Sequence, residues 1–182
     1  MSAADHINKA QKLRVFHMSW EEQPPHTVET DRITINNREG DDEDNVHPGV
    51  LHMGTRKAAL SIYRTHLHEY EMDPDVVDPL IYGDAQYMMD RVQTHPDRHQ
   101  SKAFIKNMSN IQQGLWETLP ATPKDALKRN IVLPYRNYAE DIGSISYIVP
   151  KRLATQGKVR YVGVTDLQND GVRKKLEQEE GM

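Results

Sequence analysis

Apolar and polar positions alternate along Leu13–Trp20, LRVFHMSW. One set is Leu13, Val15, His17 and Ser19, and the other is Arg14, Phe16, Met18 and Trp20. A repeat of two sends successive side chains to opposite faces, so the segment is predicted to be a strand that stops at Pro24 and Pro25. Thr30–Ile35, TDRITI, and Val50–Met53, VLHM, are two more short strands by their branched and apolar content. Ala59, Ile62, Tyr63, His66, Leu67 and Tyr70 then recur at helical spacing. They predict one helix, capped by Thr55 and halted at Asp73-Pro74. Asp84–Gln93 and Ser101–Leu119 are weaker helical stretches, and PATPKD at 120–125 is a turn leading into a capped helical turn.

The last third is patterned more clearly. Ser144–Val149, SISYIV, and Lys158–Val164, KVRYVGV, are strands. They are joined by KRLATQG, so an antiparallel pair is expected. Beyond Val172 the chain is highly charged. Strands early and late with helices between them predict a single-domain α+β protein with a mixed or antiparallel sheet. Its expected parts are a polar N-terminal segment, 1–12, a domain, 13–167, and a charged tail, 168–182. No G-x-G-x-x-G follows a strand and no P-loop is present, which argues against a doubly wound nucleotide fold.

Composition narrows the chemistry. The 182 residues suit one domain with a core, although only 37% are hydrophobic. Net charge is −4, from 23 basic and 27 acidic side chains, with no basic stripe, so duplex DNA is an unexpected partner. The chain has no cysteine, which excludes disulfides, thiolate zinc sites and a cysteine nucleophile. No apolar run reaches membrane-spanning length, and MSAADHINKAQKLR has no signal-peptide core. A cytoplasmic protein is therefore expected.

Five features carry candidate chemistry. His17 and Ser19 share a strand face with Leu13 and Val15, so two polar groups there need partners or a ligand. His52-Met53-Gly54-Thr55 leads from strand to helix, where a glycine admits close approach and a helix N-terminus favours an anion. A turn with a threonine cap accounts for Gly54 and Thr55 without a ligand, but not for His52. Tyr63 and His66 lie on the predicted inner helix face, either as core residues with satisfied polar tips or as the wall of a ring-binding pocket. Tyr135–Ser144, YRNYAEDIGS, clusters polar, charged and aromatic groups before a buried-looking strand, as a functional loop or a plain polar turn would. The nine histidines include no H-x-x-x-H or H-E-x-x-H spacing, and His66 and His68 would face different ways on a helix, so no metal is expected. The acidic run Asp41–Asp44 lacks the spacing of a calcium loop.

Three of these segments together resemble the split pocket of the ADP-ribosyltransferase superfamily. That resemblance implies NAD as cosubstrate, with LRVFHMSW as the gripping strand and His17 and Ser19 on the adenosine-side ribose. VLHMGTRKAALSIY would be the second element, with His52, Thr55 and Tyr63 in the pocket and Tyr63 stacked on nicotinamide. YRNYAEDIGSISYIVP would be the late element, with Glu140 as the catalytic carboxylate. The family's histidine class has His-Gly-Ser or His-Gly-Thr where this chain has His17-Met18-Ser19, and Ser146 stands where polymerase-type members carry their glutamate. Breaking the nicotinamide–ribose bond develops an oxocarbenium-like cation, which a carboxylate stabilises without metal or thiol. The chain is also similar in style to small accessory proteins of bacterial viruses, whose setting would be the host cytoplasm or the virion. Two alternatives stay open. One is a non-enzymatic protein of a phage particle or host-interaction type that works by binding a protein partner or target. The other is a nucleotide-sensing or nucleic-acid-processing protein built on His52 and the following helix terminus.

Overall fold

The computed structural model describes residues 11–28, 49–84 and 120–182. Alternation along LRVFHMS forms β1, Leu13–Ser19, as the period of two requires. Pro24 then leads into a single 3₁₀ turn at Pro25–Thr27. VLHM is β2, Val50–Met53. Thr55 caps α1, Arg56–Leu60, by accepting a hydrogen bond from the Ala58 N–H at 3.0 Å.

The predicted long helix ends there. The chain turns and becomes β3, His66–Met72. A spacing of four satisfies a helix and a strand equally, so His66 and Tyr70 fitted both patterns. His66, His68, Tyr70 and Met72 are all buried, and they point the same way along the strand. Pairing with strands on both sides, which no local window contains, decides the matter. For the same reason His66 and His68 share a face, with ring centroids 6.4 Å apart, rather than diverging as on a helix.

Thr122 caps α2, Pro123–Arg129, which ends on Asn130 in the left-handed region. Leu133–Arg136 is β4, Ile145–Pro150 is β5, Lys151–Thr155 is α3 and Val159–Asp166 is β6. The charged tail forms α4, Asp170–Glu179, capped by Asn169. The expected pairing of SISYIV with KVRYVGV is not made. Helix α3 lifts the chain out of one sheet and delivers β6 to the other.

Among the described residues, the α+β domain has two antiparallel three-stranded sheets, ordered β1-β3-β6 and β2-β5-β4. One bridge, Phe16 with Gly54, joins them. Val15, Tyr70, Met72 and Val159 of the first sheet meet Leu51, Met53 and Val149 of the second, and Leu153 of α3 closes this main core. The far face of the second sheet, with Leu133 and Ile148, packs on Ala126 of α2. The far face of the first, with Met18 and Leu67, packs on Ala59 and Leu60 of α1. Each sheet is thus packed on both faces, although Val162 and Val164 of β6 stay exposed.

The predicted strand at 30–35, the acidic run at 41–44 and the helical stretches at 85–93 and 101–119 lie outside the described residues, as does 1–10. Among the described residues, no helix is long and apolar enough to cross a membrane.

Candidate functional site

The site lies where the two sheets part. Phe16 and Gly54 exchange both backbone hydrogen bonds, at 2.8 and 3.0 Å. An antiparallel ladder would continue with Met18 opposite His52, but the strands splay and that rung is missing. The His52 main-chain oxygen accepts instead from His17 Nδ1, 2.7 Å away. Beside this gap is a hollow of about 60 Å³, lined by His17, His52, Tyr135, Asn137, Glu140 and Ser146 among others. Its walls come from β1, β2, β4, the β4–β5 loop and β5, with Ala58 and Ala59 of α1 and Ile62 of the turn that follows it.

Gly54 sets the floor. A Cβ there would lie 2.9 Å from Ser146 Oγ and 3.3 Å from the Ala58 methyl. Only a bare α-carbon lets β2 turn into α1 this close to β5.

Asn137 builds the loop above the floor. It is 3% exposed, and its amide nitrogen donates to Glu140 Oε2 and to Ser146 Oγ, both at 2.9 Å. Its oxygen accepts from the N–H groups of Ala139 and Glu140, both at 2.9 Å. The loop closes on Gly143, whose φ of +86° lies in the region glycine favours. One buried amide thus fixes both the carboxylate at the rim and the hydroxyl on the floor.

The electrostatics follow from burial. Desolvation lowers the His17 imidazole from 6.5 to about 4, outweighing the opposing effect of its bond to His52, and the neighbouring His68, His52 and Arg64 lower it further. The ring is therefore neutral at pH 7. With Nδ1 donating to the carbonyl, Nε2 is an acceptor. Burial, with the Asp84 and Glu140 carboxylates, pushes the Tyr135 phenol up, so it stays an O–H. That hydroxyl lies 3.2 Å from His52 Nδ1, and the two rings meet edge to face at 6.0 Å.

The structure brings four of the residues named from sequence to one hollow: His17, His52, Glu140 and Ser146. The other three stand apart from it. Thr55 Oγ1 donates to Asp141 Oδ2 at 2.6 Å while it caps α1, so its hydroxyl is engaged twice. Ser19 accepts from the Glu21 N–H at 2.8 Å. Tyr63, beyond α1 instead of on its inner face, is 81% exposed. Tyr135 and Asn137 belong to the site but were not singled out within the YRNYAEDIGS cluster. The available signal was an asparagine six residues before a turn glycine, immediately ahead of a strand. Among the described residues, no group of three histidines and carboxylates is placed to hold a metal ion.

No family model, no curated protein and no solved structure matches this chain.

Proposed function

We propose that this protein is an NAD-dependent ADP-ribosyltransferase-like enzyme working at the cleft between the two sheets. One observation carries the reading: an imidazole from β1, His17, and a carboxylate from the β4–β5 loop, Glu140, line the same hollow although 122 residues lie between them in the sequence. The donor and acceptor set suits the chemistry. His17 Nε2 is an acceptor for a ribose hydroxyl. Glu140, oriented by Asn137, is a carboxylate for the ribose that carries the developing positive charge. At about 60 Å³ the hollow takes one ring rather than a dinucleotide, so the rest of NAD would lie across the open surface beside β1.

Thermal melting with excess NAD and an assay of nicotinamide release test the reading. The expected result is a rise in melting temperature with NAD, together with slow nicotinamide release that Glu140→Gln removes. Absence of both effects would end the proposal.

A further inference from the structure

Next to the hollow lies an aromatic corner with a cation on it. Trp20 follows β1 and is 51% exposed. Arg64 precedes β3, and its guanidinium lies 5.7 Å from the Trp20 ring centroid. Thr65 ties the two segments together: its N–H donates to the Ser19 oxygen at 3.3 Å and its hydroxyl to the Trp20 oxygen at 3.4 Å. Tyr63 stands edge-on to Trp20 at 6.5 Å and 72°.

We propose that Arg64 and Trp20 form a second subsite at the mouth of the cleft that takes the phosphate and base of a purine mononucleotide unit. For the rest of the ligand the proposal rests on the transferase reading. Arg14, Arg56, Arg129 and Arg160 each sit within 3 Å of a carboxylate oxygen. Among the described residues Arg64 has no carboxylate within ion-pair distance, in contrast to those four. A guanidinium offers a planar fork of donors to a phosphate, and an indole face stacks on a base. The position fits as well. Ile62 lines the hollow and is followed directly by Tyr63 and Arg64, and Arg64 is near enough for its charge to act on His17, so the corner adjoins the hollow. Trp20 and Tyr63 meet edge to face, and with half of Trp20 still exposed one planar group can stack on the open indole.

The experiment uses the full chain with Trp116→Phe. The chain has two tryptophans, so indole fluorescence then reports Trp20. AMP and adenosine are titrated separately. AMP is expected to quench saturably. Arg64→Gln is expected to weaken AMP about tenfold, the scale of one charge-assisted hydrogen bond, and to leave adenosine unchanged. Arg64→Lys should recover part of the loss, and it replaces Arg64→Gln if that variant does not fold. Quenching that is equal in parent and both variants overturns the subsite. No quenching by either ligand overturns it too, and leaves the corner to a protein partner. Nicotinamide release is measured on the same proteins. Arg64-dependent AMP binding without any release supports the subsite and removes the transferase reading. Release with Arg64-independent AMP binding overturns the subsite alone.

Discussion

His17 Nδ1 donates to the main-chain oxygen of His52 across 2.7 Å, where a β-ladder would have used the Met18 N–H. A side chain thus replaces a backbone rung, and the replacement lets the two sheets separate without leaving that carbonyl unpaired. The bond fixes which ring nitrogen carries the proton, and burial, acting against that bond, keeps the imidazole neutral, which has a consequence for stability.

The unfolded-state value of His17 is 6.5 and the folded value is about 4. Between them the unfolded chain binds more protons, so the contribution is complete above the unfolded value and is lost as pH falls toward the folded one. His26 and His68 are lowered in the same direction, chiefly by desolvation, and add to the slope. His17→Gln keeps a donor for the His52 oxygen but does not titrate. Urea unfolding at about pH 7 and about pH 4.5 should show a smaller loss of stability in this variant than in the parent.

Gly54→Ala should destabilise the fold by about 1–3 kcal/mol, the usual cost of forcing a methyl into a packed site. The new carbon would meet Ser146 Oγ at 2.9 Å, and Ser146 is itself buried. Pairing it with Ser146→Ala removes the nearest atom. The double variant should therefore lose less than the sum of the two singles in a denaturation cycle.

Asn137→Ala removes the amide that holds Ala139, Glu140 and Ser146. The loop N–H groups can recover water, whereas Ser146 Oγ is buried, so a cost of about 2 kcal/mol is expected. Hydrogen exchange should rise across the β4–β5 loop more than in β3, because only the loop loses its central partner.

Glu140 is exposed, so Glu140→Gln should leave stability within about 0.5 kcal/mol of the parent. If the carboxylate stabilises the cation formed from NAD, nicotinamide release should fall by about 10²–10³-fold. Melting curves and a release assay on one preparation separate the two effects.

Helix α4 buries no residue. Arg56 holds its end through Glu180 at 2.5 Å and Glu179 at 3.1 Å, and Leu176 rests against the Met18–Leu67 cluster. Arg56→Ala should cost less than about 1 kcal/mol globally, as part-exposed ion pairs do. Amide exchange should nonetheless speed up along α4 and not in β3, since the helix can open without disturbing the main core.

Strands β1, β2, β5 and β6, the Thr55 cap and a capped helical turn after PATPKD were legible in the sequence, because alternation over a few residues and a hydroxyl before a helix are local signals. The stretch after Leu60 was misjudged because His66 and Tyr70, four apart, obey both periods. The β5–β6 pairing was misjudged because proximity in the chain does not say which sheet accepts a strand. His17, His52, Glu140 and Ser146 stood out by residue type. The roles of Asn137 and Arg64 did not, since both depend on neighbours far away in sequence.

The chain's own order of residues determined where the extended backbone of β1, β2, β5 and β6 lies, that Gly54 sits at a strand-to-helix turn, and that no thiol chemistry takes place. Those outcomes follow from sterics and composition within a few positions. Only the tertiary structure decided that β1 and β2 meet at a single bridge and then part, so that groups from distant segments surround one hollow. That separation is set by which strands compete for each edge and by what must be buried between the two sheets, and both are properties of the whole packed chain.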